Sequence, residues 1–70
     1  MQYFVIIEPS PTRYGAYVPD LPGCVTVGAS REEVETLIHE AAEFHIEGLR
    51  ADGQPVPEPT STSQLVSIDA

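Results

Sequence analysis

Three short stretches of β-branched and aromatic residues precede one long stretch whose apolar positions recur at helical spacing. Residues 2–8 read QYFVIIE and are closed by Pro9-Ser10-Pro11. As a strand this run puts Tyr3, Val5 and Ile7 on one face and Phe4 and Ile6 on the other. Both faces are apolar. That predicts a central strand covered on two sides, or one with a helix on one side and a partner on the other. Residues 14–18 and 25–27 read as two more short strands. Between them Pro19-Asp20-Leu21-Pro22-Gly23 has turn chemistry, with two prolines fixing φ, Asp20 able to cap nearby amides and Gly23 tolerant of positive φ. Short links between consecutive strands predict an antiparallel meander.

The helix is marked at both ends. Ser30-Arg31-Glu32-Glu33 is a capping box, and Glu32, Glu33 and Glu35 sit near the positive end of the helix dipole. Gly53 supplies the stop, with Arg50 in the last turns. Val34, Leu37, Ile38, Ala41, Phe44, His45 and Leu49 fall on one broad face at about 100° per residue. Gly48 lies within that face, where a missing side chain would let a sheet approach. Opposite runs a stripe of Glu32, Thr36, Glu40, Glu43 and Glu47. The pattern is one amphipathic helix on one face of one sheet.

The remaining residues, 54–70, begin with the extended run PVPEPTSTS and end in LVSI at 65–68, long enough for one more strand. After a crossover helix that strand is expected to lie parallel to the first, through a right-handed connection. The fold class expected is α+β. It comprises a three-stranded antiparallel meander, a helix on one face and a short C-terminal strand, in a single domain over residues 1–70.

Composition narrows the function. Eleven acids against three arginines give a formal charge of −8 on 70 residues, with a pI near 4.3. Such a surface is repelled by phosphate backbones, so direct nucleic-acid binding is not expected. No apolar run approaches the roughly 20 residues of a membrane span. The single cysteine rules out an intrachain disulfide and fits a reducing compartment, so a cytoplasmic protein with a protein partner is expected.

Two runs then carry a resemblance. Gly15-Ala16-Tyr17-Val18-Pro19-Asp20-Leu21-Pro22-Gly23-Cys24 is followed by Thr26-Val27-Gly28-Ala29-Ser30-Arg31-Glu32-Glu33. Glu40-Ala41, His45-Ile46-Glu47-Gly48-Leu49, Gly53 and Pro55-Val56-Pro57-Glu58-Pro59 follow in order. From Tyr3 through Ile68 the chain resembles the HicB-like antitoxin family. The resemblance implies a partial ribonuclease-H-like β-β-β-α-β fold, which agrees with the elements read above. It also implies an antitoxin of a type II toxin–antitoxin system, one that binds and masks a small basic HicA-like toxin that cleaves messenger RNA. Many members carry a C-terminal ribbon-helix-helix or helix-turn-helix domain for the operator. Only eleven residues follow Pro59 here, so that module is expected to be missing and autorepression with it. Two alternatives stay open: an orphan homo-oligomeric interaction module without a toxin, and a degenerate ribonuclease-H-like nuclease.

The chemistry-bearing residues argue against an enzyme. A ribonuclease-H site needs clustered carboxylates to hold two metals, yet the first strand has no acid before its end at Glu8, Asp20 is in a turn and Glu40 projects from the solvent stripe. His39 is four residues from both Glu35 and Glu43, a spacing that fits a surface metal contact but more commonly a solvated helix face. His45 falls on the apolar face, where a core or oligomer contact is expected. As a nucleophile Cys24 would need a histidine or cationic neighbour, and with only three arginines in the chain it is expected to pack as a small hydrophobe. No catalytic residue, metal site or cofactor is expected. The acidic surface fits a basic partner, and Asp20, Glu40, Glu43 and Glu47 are the candidate contacts. A strand apolar on both faces, with one helix to cover it, points to a dimer or tetramer. Phe4, Ile6, Leu65, Val66 and Ile68 are the candidate oligomer contacts.

Overall fold

A computed structural model describes residues 1–69. It holds β1 (Ile6–Pro9), β2 (Tyr14–Tyr17), β3 (Val25–Gly28) and α1 (Arg31–Ala51). The strands form an antiparallel sheet in the order β1-β2-β3, as expected of a meander. The hairpin between β1 and β2 is closed at Ser10, whose amide and hydroxyl both donate to the Arg13 carbonyl at 2.8 Å. The PDLPG loop folds back on itself through Leu21 N–H to Val18 C=O at 3.1 Å and Cys24 N–H to Leu21 C=O at 3.0 Å. Gly23 takes the positive φ of 85° that this reversal requires. The tuck leaves Leu21 with no exposed surface, so the turn contributes a core residue.

Helix α1 starts and stops where its signals place it. The Ser30 hydroxyl accepts from the Glu33 amide at 3.1 Å. At the far end the Gln54 amide donates to Leu49 C=O at 2.8 Å and the Gly53 amide to Arg50 C=O at 3.1 Å, with Gly53 at φ 71°. That pair of bonds is a Schellman motif. The core is Ala16, Val18, Leu21, Cys24, Val34 and Ile38, flanked by half-buried Tyr3, Ile7 and Tyr14.

Several expectations need correction. Gly48 is not where helix and sheet approach, because a Cβ there would meet nothing within 4 Å. The close approach is at Gly28, where a Cβ would come within 3.2 Å of the Val34 amide nitrogen. Phe44, counted with the apolar face, is 78% exposed. The reason is width: three strands at about 4.8 Å spacing cannot cover a face that spans half the helix circumference. β1 begins at Ile6 and lies at an edge, so it is not a central strand. Because residues before Ile6 lie outside the ladder, the strict alternation of Phe4 with Ile6 is lost.

Residues 65–68 form no strand. Leu65, Val66 and Ile68 are exposed. The helix lies over β3 and β2 rather than over β1, so a fourth strand beside β1 would have little to cover it. Ordering each residue costs about 1–2 kcal/mol, which an edge pairing without burial does not repay.

Candidate partner-binding surface

The helix stripe is free as the sequence predicted: Glu32, Glu40, Glu43 and Glu47 are all exposed. Two contacts lie along its margin. Arg31 Nε lies 2.9 Å from Glu35 Oε1, and His39 Nε2 lies 3.1 Å from Glu43 Oε1. Both pairs are exposed and one helical turn apart, so they add little to stability. Most of the stripe's negative charge is left uncompensated.

Beside the stripe runs an open groove of about 960 Å³ between the N-terminal arm and α1. Phe4, Ile7, Ile38, Ala42 and Ile46 give it an apolar part, and Glu35, His39, Glu43, Glu47 and Arg50 also line it. The structure therefore brings Phe4 together with two of the predicted acidic contacts, whereas the sequence assigned them to separate interfaces. Glu40 is outside the groove, farther round the helix. Ile6 is also outside it.

Asp20 does something the sequence did not announce. Its carboxylate accepts from the Thr60 and Ser61 amides at 3.1 and 3.0 Å and from their hydroxyls at 3.2 and 2.8 Å. These bonds to the charged form, Ser61's first, hold the Asp20 pKa below its ordinary value. The residue is a latch for the C-terminal segment. A second tie runs from the Tyr3 hydroxyl to the Pro57 carbonyl. No local spacing links Asp20 to a hydroxyl run forty residues later. The only sequence signal was the presence of both a turn carboxylate and an unexplained TSTS.

The remaining chemistry-bearing groups are scattered. Cys24 is buried, and burial pushes its thiol pKa up, away from the nucleophilic thiolate. His45 and Cys24 line the same small groove, but no hydrogen bond joins them among the described residues. Glu8 is exposed on β1, Asp20 is tied to the tail and Glu40 is on the outer helix face. Among the described residues no three His, Cys, Asp or Glu side chains come together to hold a metal. Nor is any helix there long and apolar enough to cross a membrane.

Comparison with known proteins gives the family. Residues 3–69 match the family described as HicB-like antitoxin of bacterial toxin–antitoxin system. A UPF0150 protein of Synechocystis is 47% identical over 55 residues, covering 79% of this chain and 70% of its own. A 14.9 kDa protein from the rep-hol intergenic region of Haemophilus phage HP1 is 34% identical over 67 residues, 96% of this chain. This chain spans half of that phage protein's length. Among solved structures, a chain of a HicA3 and HicB3 toxin–antitoxin complex superposes with a TM-score of 0.73 at 30% identity. The superposition covers 86% of this chain and 70% of that one.

Proposed function

The chain belongs to the HicB-like antitoxins of bacterial toxin–antitoxin systems, and on that premise we propose that it neutralises a small, basic, HicA-like ribonuclease by occlusion. The observation that carries this reading is the groove beside α1, part apolar and lined by three acids, Glu35, Glu43 and Glu47, against one arginine, Arg50, on a chain of net charge −8. A protein that binds RNA carries a basic face. That face would be steered to the helix stripe, and contact there would remove it from phosphate. Apolar groups beside the basic residues would enter the groove, which supplies burial that charge alone does not.

No catalytic step by this chain is required; masking suffices. The fold serves as a ribonuclease-H-like scaffold without carboxylate chemistry, and residues 65–68 join as a fourth strand only where a partner covers them. The cytoplasm, where messenger RNA is translated, is the compartment such masking needs. The test is co-expression with a HicA-like toxin encoded beside this gene, reading growth and co-purification. Rescue of growth with a stable complex supports the proposal; toxicity unchanged, with no complex, overturns it.

A further inference from the structure

The face of the sheet turned away from α1 has no cover. In register, Ile6 pairs with Tyr17 and Tyr17 with Val25, so these three side chains form one row across all three strands. Val27, two residues beyond Val25, extends it. All four are exposed: Ile6 37%, Tyr17 38%, Val25 67% and Val27 57%. The alternate positions Ala16 and Gly28 are buried under the helix, so the two faces are assigned without ambiguity. Glu8 is the one charged residue that the register places on the outer face. It stands at the end of the patch, opposite Gly15.

We propose that this outer face is a homotypic interface, on which the sheet of a second copy packs face to face, giving a helix–sheet–sheet–helix dimer. Charge selects a second copy as the occupant. Two molecules of net charge −8 repel through most of their surface; this face is nearly uncharged. Packed this way, the two acidic helices lie on opposite outer sides. At about 10 Å per layer they are about 30 Å apart, several times the roughly 8 Å over which charge is felt at physiological salt. A basic partner, by contrast, has its complement on the helix side.

Area points the same way. The chain exposes 5529 Å², whereas a monomer of its mass exposes about 4,300 Å² on the usual scaling. The excess of about 1,200 Å² exceeds the roughly 800 Å² each partner loses in a standard interface. The run after Ser61 carries part of it. Helix and sheet make two layers, 16 Å at the thinnest extent, so nothing among the described residues covers the outer sheet face.

The arrangement leaves the groove beside α1 open, so a dimer would present two such grooves facing away from each other. It stands or falls independently of what binds there. Sedimentation equilibrium of the full chain, without any partner, tests it. The expected result is a species of twice 7.6 kDa at micromolar concentration. The pair Tyr17→Glu and Val25→Glu should weaken association by about tenfold or more, since each copy would bury unpaired carboxylates. Val25→Glu alone, at a position mostly in water, guards against misfolding, and circular dichroism checks the helix. Phe44→Glu and removal of the residues after Ser63 should leave the dimer intact. A monomer at all concentrations, a dimer that survives the double change, or one abolished by Phe44→Glu or the truncation would overturn the proposal. A monomer that still neutralises a toxin would refute this interface alone.

Discussion

Asp20 and Gly28 set constraints out of proportion to their size. Asp20 holds the tail by four bonds to its ionised form, so its folded pKa lies below the ordinary value of 3.8. A depressed carboxylate pKa means that the latch is fully made above the ordinary value and is lost as pH falls through the lowered one. In an NMR titration the Thr60 and Ser61 amides should therefore shift together with Asp20, at a midpoint below that of a free aspartate. Asp20→Asn should abolish the shared transition and speed proteolysis of the tail. Independent titration of the two amides would show that the latch does not form in solution. Gly28 makes the second constraint. A Cβ there would lie 3.2 Å from the Val34 nitrogen, a helix backbone atom that would have to give by a few tenths of an ångström. Gly28→Ala should cost about 1–3 kcal/mol and lower the melting temperature by roughly 4–8 °C for each kcal/mol in a domain this small.

Helix α1 was legible nearly to the residue, because its information is local: a hydroxyl three positions before an amide, and a glycine after the last turn. Ser30→Ala should cost about 1 kcal/mol by thermal unfolding. The acidic stripe was legible too, since helical periodicity put its glutamates on the exposed side. Charge reversal at Glu40, Glu43 and Glu47 to lysine should slow association with a basic toxin and flatten its dependence on salt; unchanged stopped-flow kinetics would place the contact elsewhere. What periodicity did not give was the width of the sheet. Phe44 fits the apolar arc in sequence, yet it overhangs a sheet too narrow to reach it. The strands illustrate the complementary limit. Thr26 faces the helix while Val25 and Val27 face water. Polarity along that strand therefore points the wrong way, and the sheet's outer face is invisible until the register is known. The Asp20 latch was hidden for a different reason, since it joins two segments that no local rule connects.

Across the whole molecule, one thin two-layer domain carries an acidic helix on one side and, on the other, a sheet face whose one charge is Glu8. Its core is small, six buried side chains among the described residues without a disulfide, and apolar side chains on both sides of it stay exposed. Under the proposed occlusion, the helix side meets the basic ribonuclease and the protein acts as a stoichiometric mask. Residual activity of the toxin then reports occupancy directly. The decisive measurement is a titration of messenger-RNA cleavage by the purified HicA-like toxin that the co-expression test identifies. Cleavage should fall linearly with added protein and vanish at one chain per toxin, and the Glu40, Glu43 and Glu47 reversal should shift the curve to higher protein. Cleavage that persists with the wild-type chain in excess would contradict occlusion outright.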